Sequence, residues 1–536
     1  MEQKTILAII LSLIVLLTYS AITTRPPSKH QLEKKSQNLE NKELKEKISK
    51  VLEPENSAKE EISIIKTRTI SGEFSNIGGK LKKVIIRKFN YSPPITNIVT
   101  INGFENQAFR VEGISANKIF YIFENGEYKI SKSYEFIKDY LILAEIRLKV
   151  KSEMSKKKIL DINNFTVDFS RLDNNENTTV EKSLFEYSIS TINGIFRKNN
   201  AFNFSIHDKK DEESSVNWVG FRDRYFCTIV KPEYGIQSYL INPFNENILE
   251  IQSSTEKMAL DEKTYQALRS LIFVGPQDLT LLKSYNVNFE DIINFNVGGF
   301  GDMMALGMTD LIAKIILGLI IFFHKILSNW GIAILLLGIF IYFLTYPLTF
   351  KSMASMKKMQ SLQPEIARIR ERNKNNIEKL NKEIMELYKK NKFNPLGGCL
   401  PSLLQIPIFI SLYQVLWRSV NFKGANFLWI KDLSLPDRLF VLPYPLPLLG
   451  QEINILPIIL MIIMFFQQRI SFKSKVITDK NSEDQQRIML MVLPLMIGFF
   501  FYKAPSGLAL YFLTFYFLST FTQLKMSRVS KANLTI

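Results

Sequence analysis

The chain has 536 residues, a formal net charge of +17 and a mean hydropathy of +0.02. Its two cysteines (Cys227, Cys399) and three histidines (His30, His207, His324) lie far apart, which argues against a disulfide framework, a Cys/His metal motif and a Cys–His nucleophile. No phosphate-cradling loop, GxSxG elbow or HExxH helix occurs, and no zinc-finger spacing or aromatic RNA-binding signature accompanies the positive charge. The composition therefore indicates neither an enzyme, nor a cofactor or metal, nor a direct nucleic-acid reader. Cys227 reads as a small buried residue and Cys399 as a loop or helix-start residue.

Residues 5–22, TILAIILSLIVLLTYSAI, are 18 uncharged residues after Lys4, just enough to cross a hydrocarbon core of ~30 Å. The run is longer than a usual signal-peptide h-region, so 1–24 is expected to be an uncleaved transmembrane anchor. Residues 25–61 are rich in Lys, Glu, Asn and Ser and read as a charged tether. Over 62–300 the pattern is β. KVIIRKF (83–89), KIFYIF (118–123), NFTVDF (164–169), LFEYSIS (184–190) and RYFCTIV (224–230) are short, β-branched or aromatic runs. Asn125-Gly126 sits between two such runs as a hairpin signal. Many short strands without intervening helices predict an antiparallel β-sandwich, with 255–285 more helical.

Apolar segments fill the second half. The first, within 303–328, carries Lys314, Gly318, Lys325 and Ser328 near helical spacing on one face, the pattern of a helix lying in the membrane interface. Spans are expected at 331–350, 403–420, 453–468, 488–502 and 507–524. Charge supports that division. The connection at 351–392 has twelve Lys/Arg against five Glu, 469–487 has five Lys/Arg, and the basic tail 525–536 has three. Segment 421–452 balances three Lys/Arg with three acids. Keeping the three basic segments inside requires five spans after the β domain, hence six in all, with both termini cytoplasmic and the β domain outside.

Within 351–393, Met359, Leu362, Ile366 and Ile369 repeat at 3, 4, 3, and Ile377, Leu380, Ile384 and Leu387 restore the rhythm after an Asn-rich turn. Two such stripes predict an antiparallel helical hairpin. The spans are also unusually polar. Tyr342, Thr345 and Tyr346 share a face; Gln405 and Tyr413 are eight apart; Gln467, Gln468 and Arg469 end a span; Tyr511 and Thr514 share another face. Each alone fits ordinary interhelical bonding. Together they suggest a concave polar surface inside a bundle, suited to a polar guest.

At this point the residues become specific. NWGIAILLL…YPLT (329–349), MASMKKMQSLQPEIARIRER (353–372), NPLGGCLPSLLQIPIFISLYQVL (394–416), LPIILMIIMFFQQRIS (456–471), QQRIMLMVLPLM (485–496) and PSGLALYF (505–512) resemble the YidC family of bacterial membrane protein insertases. WVGFRDRYF (218–226) and FVGPQD (273–278) resemble that family's periplasmic domain. The resemblance implies a polytopic α-helical membrane protein of the inner membrane, with a five-helix insertase core (329–524) and a periplasmic antiparallel β-supersandwich. A hydrophilic groove would receive polar stretches of nascent membrane proteins without nucleotide hydrolysis, alone or with the Sec translocon. Ribosome, signal recognition particle receptor and membrane lipids are the further partners it suggests. Tyr342, Thr345, Tyr346, Gln405, Tyr413, Gln468, Tyr511, Phe512 and Thr514 are the expected groove residues. Gln405 matches the family's third-span glutamine, and Tyr511 and Phe512 its paired aromatic site. The chain departs from the pattern at two positions. Tyr342 stands where relatives usually carry a groove arginine, and Gly338 where they carry a threonine. A secondary transporter would show inverted repeats, and none is evident; a scaffold or assembly role overlaps the insertase reading.

Overall fold

Short β-branched runs need partners on both edges, and the chain supplies them by consecutive antiparallel pairing. The computed structural model describes residues 59–151 (bar 97 and 102), 162–168 (bar 164), 185–199, 210–255 (bar 214, 234, 235, 246 and 247), 265–296, 308–391 (bar 374 and 375), 400–473 (bar 447–449) and 492–532. The expected anchor 1–24, most of the tether, the NPLGGC block, residues 474–487 of the 469–487 connection and the start of the 488–502 span lie outside the described residues. Residues 61–536 cluster as one unit.

The central sheet has nine antiparallel strands. In spatial order they are Gly194–Asn199, Glu186–Thr191, Val216–Arg222, Phe226–Pro232, Gln266–Pro276, Leu141–Val150, Tyr128–Lys138, Lys118–Glu124 and Arg110–Ile114. A five-stranded sheet containing Phe165–Asp168, Ile236–Asn245 and Ile248–Thr255, a three-stranded sheet of Ile62–Lys66, Ile70–Ser75 and Lys80–Ile86, and a short pairing of Thr100–Ile101 with Ile162–Asn163 are the other sheets described in the β domain. All five expected runs contain strand. The stretch 255–285 does not follow its helical reading: Gln266–Pro276 is an 11-residue strand, and among the described residues of the stretch helix is confined to α1, Leu279–Lys283. The strand pairs on both edges, with Phe226–Pro232 and with Leu141–Val150, and that tertiary pairing overrides local propensity. The hairpin at Asn125-Gly126 closes by an Asx turn. The Asn125 side-chain oxygen accepts from the backbone N–H of Glu127 (2.9 Å) and Tyr128 (2.7 Å).

The helical part comprises α2 (Thr309–Leu327), α3 (Trp330–Arg372), α4 (Ile377–Lys390), α5 (Leu400–Arg418), α6 (Ile455–Lys473), α7 (Val492–Tyr502) and α8 (Ser506–Ala532). α2 packs on α3 and α5, while α8 packs on α3 and α6. The expected second span and the first hairpin arm are one helix, α3, which runs unbroken through Pro347 and Pro364. Leu362, Ile366 and Ile369 of α3 meet Ile384, Leu387 and Tyr388 of α4. Ile377 stays exposed at the turn, where Asn376 caps α4 through Lys379 N–H; Leu380 is half-buried, and nothing is described of the Met359 side chain. Among the described residues two helical segments, Trp330–Ser352 and Ser506–Lys525, are long and apolar enough to cross a membrane. Leu403–Arg418, Ile455–Ile470 and Val492–Tyr502 are shorter apolar helices. The connection 421–452 holds an unforeseen hairpin, Phe440–Leu446 with Gly450–Ile453.

The WVGFRDRYF stretch joins the two parts. Trp218 is fully buried in a core that also holds Leu317 of α2, Leu337 of α3 and Leu416 of α5. Arg222 donates to Glu186 (2.8 Å) and to the carbonyl of Asn294 (2.9 Å), and Arg418 at the end of α5 donates to that same carbonyl (3.2 Å). Arg224 donates to the carbonyl of Trp417 (2.8 Å), and Tyr225 shares a 3.1 Å hydrogen bond with Ser434. Cys227 is buried beside them, and desolvation holds its thiol well above the usual range.

Glu186 and Arg222 are 1% and 3% exposed. Breaking such a pair strands a buried charge, so Glu186→Gln is expected to cost about 3 kcal/mol of unfolding free energy, and a paired Glu186→Leu/Arg222→Met replacement less. Urea unfolding of the detergent-solubilised full chain reads both. Lys132 gives a pH signature. It is 1% exposed, donates to the carbonyl of Gly78 (2.7 Å), and desolvation pushes its ammonium down from 10.5 to about 7, with Lys80 lowering it further and Glu105 opposing. Below pH 7 both states are protonated and the fold bears the full cost of the buried charge. Between pH 7 and 10.5 the unfolded chain binds more protons than the native one, so this group makes stability rise with pH by up to about 1.4 kcal/mol per unit. Lys132→Met should flatten that slope; an unchanged slope would show that the ammonium is not desolvated.

Candidate intramembrane polar site

The polar side chains of the apolar helices converge on α8. Tyr342 of α3 is 3% exposed, and its hydroxyl lies 2.5 Å from Thr522 Oγ1. Its ring meets Phe515 edge-on, at a centroid distance of 5.7 Å, and Tyr346 at 6.1 Å. Gln405 of α5 donates from Nε2 to the hydroxyl of Tyr511 (3.0 Å), which is fully buried. Gln467 of α6 donates to Ser519 Oγ (2.8 Å). Tyr511, Phe515, Ser519 and Thr522 recur at 4, 4 and 3, one face of a helix, so α8 offers one polar stripe to three neighbours.

The remaining expected residues fall elsewhere. Thr345 returns its hydroxyl to the carbonyls of Ile341 (2.8 Å) and Tyr342 (3.2 Å) on its own helix, and Thr514 does the same to Leu510 (2.9 Å). Tyr346 is 37% exposed and stacks toward Phe350. Tyr413 sits with Phe409 and Trp417, toward the end of α5 that Arg224 grips. Phe512 packs edge-on against Phe409 and Phe501. Gln468 has a buried Oε1 without a hydrogen-bond partner among the described residues. Thr522 and Ser519 were missed in the sequence, although their spacing from Tyr511 was the available signal. Gly338 and Tyr342 act on the same pair of helices. A Cβ at Gly338 would stand 3.2 Å from the Cβ of Thr514, so glycine lets α3 and α8 approach closely, and Tyr342 reaches α8 one turn further along. Among the described residues no cluster of His, Cys, Asp or Glu could hold a metal ion.

A large antiparallel β domain continued by apolar helices that satisfy their polar groups inside the bundle defines a helical membrane protein with an appended β domain. Residues 104–300 match the family profile described as YidC periplasmic domain, and 322–533 match that of the 60Kd inner membrane protein. The chain belongs to the YidC family of membrane protein insertases. Relatives named membrane protein insertase YidC include that of Chlorobaculum tepidum, 32% identical over 59% of this chain and 52% of its own length. That of Pelobacter propionicus is 36% identical over 56% and 52%, and that of Geotalea uraniireducens 28% identical over 96% of both. The chain thus spans about half the length of the first two. A crystal structure described as active YidC insertase with its first transmembrane domain resolved aligns over 87% of this chain and 92% of its own, at 18% identity and a TM-score of 0.37.

Interhelical bonds of this kind contribute about 0.6 kcal/mol each. A double-mutant cycle of Tyr342→Phe and Thr522→Val should return a coupling of that size in the thermal stability of the solubilised protein; strict additivity would mean the two hydroxyls do not interact.

Proposed function

We propose that this chain inserts membrane proteins into the inner membrane and assists their folding, with the α8 stripe and its partners as the place where a polar stretch of the guest is received. The observation that carries the reading is the set of three interhelical bonds, Tyr342–Thr522, Gln405–Tyr511 and Gln467–Ser519. Each joins neutral groups and is worth little on its own. A guest's backbone and polar side chains can therefore exchange for them at small cost, while its apolar stretch passes to lipid along the exposed faces of the bundle. The exposed apolar side chains of α6 and α7, such as Ile462, Phe466 and Phe499, supply such a face. No nucleotide is required, because burial of the guest's apolar surface drives the step.

In this reading the chain crosses the membrane six times with both termini cytoplasmic, as the charges of 351–392, 469–487 and 525–536 direct. The β domain is periplasmic, α2 lies in the interface, and the α3–α4 hairpin stands in the cytoplasm, where its charged face would meet a ribosome or targeting factor. Cooperation with the Sec translocon belongs to the same reading.

Photoreactive residues at Gln405 and Tyr511 are expected to capture a stalled single-span nascent chain more strongly than one at Ile137 of the β domain; equal capture at all three would remove the site. Tyr342→Arg is expected to favour substrates with acidic tails several-fold over neutral ones, because a cation in a low-dielectric site attracts a carboxylate strongly. An equal change for both substrates would contradict that electrostatic argument.

A further inference from the structure

The β domain and the bundle do not meet flush. Between them lies an open cleft of about 680 Å³. One wall is Lys88, Phe89, Tyr140 and the turn of α1, and the other is Trp330 with the segment 420–425. Trp330 is the first residue of α3 and of its 23-residue apolar stretch. The cleft therefore opens where the apolar helix begins, at the depth of lipid headgroups, where Trp is characteristically placed. The indole is fixed there. His324 of α2 stacks on it at 3.7 Å, and Phe422 meets it edge-on at 5.4 Å.

The lining is amphipathic and its charge is cationic. Lys88 Nζ lies 5.3 Å from the centre of the Phe89 ring, and Lys423 Nζ 4.5 Å from that of Tyr225, so both ammonium groups are carried on aromatic walls. The one lining carboxylate, Asp278, is engaged by the backbone N–H of Leu281 at 2.9 Å. Two cations above an aromatic wall suit a ligand with a phosphate at one end and apolar surface at the other. A free phosphate shares the headgroup chemistry but leaves Phe89, Tyr140 and Trp330 unused. A zwitterionic headgroup brings its own ammonium to two lysines.

We propose that this cleft binds the headgroup and glycerol region of an anionic phospholipid, seating the β domain on the membrane surface. The inference rests on the membrane placement of the bundle in the reading above. The test uses the full chain in nanodiscs of equal phosphatidylglycerol and phosphatidylcholine, with native mass spectrometry of the lipids that stay bound. The wild type should retain one phosphatidylglycerol in preference to phosphatidylcholine. Lys88→Gln and Lys423→Gln should each lower its retention about fivefold. Ser284→Trp, which fills the mouth from an exposed position and keeps both lysines, should abolish it. Millimolar glycerol phosphate should not displace the lipid.

Unchanged phosphatidylglycerol in Lys88→Gln, Lys423→Gln and Ser284→Trp would overturn the proposal. Displacement by glycerol phosphate would reduce the cleft to a small-anion site and overturn it as well. So would a photoreactive residue at Ser284 that captures nascent chains instead of lipid. A fluorophore at Ile462, on the exposed face of α6, separates this proposal from the reading beneath it. Loss of quenching by brominated lipid there removes the membrane placement itself. Normal quenching with unchanged phosphatidylglycerol removes only the cleft.

Discussion

A hydrogen-bonding group inside an apolar bundle has no water to fall back on and must find a protein partner. In this chain the requirement selects α8 as the organising helix. Its stripe of Tyr511, Ser519 and Thr522 meets one polar residue from each of α5, α6 and α3. The glycine at 338 follows from the same constraint, because a larger residue would hold α3 away from Thr514. None of the three bonds involves a formal charge. Bonds of that kind hold the helices in one arrangement through several small contributions, not one large one.

The junction obeys the opposite rule. There the groups are charged, buried and multiply bonded. Arg222 and Arg418 converge on the carbonyl of Asn294, Glu186 balances Arg222, and Arg224 holds the carbonyl of Trp417 near the end of α5. Removing one member of such a network leaves its partner unpaired in a low dielectric, so the arrangement is stiff. The end of α5 is thus pinned to the β domain while Gln405, further back on the same helix, takes part in a weak neutral bond. A single helix thus carries both kinds of contact, charged at its end and neutral in its interior.

The architecture was largely legible in the sequence because it rests on periodicities. Short β-branched and aromatic runs located strands, 3–4 spacing located the α3–α4 hairpin, and composition separated the β domain from the helices. What failed depended on partners distant in sequence. The strand Gln266–Pro276 carries mixed propensity and is decided by its two neighbours. The hairpin at 440–453 is rich in proline and gave no alternating pattern. The span at 331–350 and the first hairpin arm read as separate elements, yet α3 runs through both and through Pro347; a proline forfeits one hydrogen bond, and a helix packed on α2 and α8 tolerates that loss. In the site, residue types were readable and pairings were not. Gln405 and Tyr511 stood out singly, but Thr522 and Ser519, small hydroxyl residues within a long apolar helix, become meaningful only when α8 is laid against α3 and α6.

Tyr342 shows why the pairing matters more than the residue type. An arginine at that depth would cost about 2.5–3.5 kcal/mol to hold at a helix centre and would require water or a counter-charge. A tyrosine requires only one acceptor or donor, and Thr522 provides it. The hydroxyl supplies a short-range bond that ties α3 to α8, and the close approach permitted by Gly338 is its packing counterpart. A residue without a side chain lets the helices come together, and a neutral hydroxyl then suffices to join them.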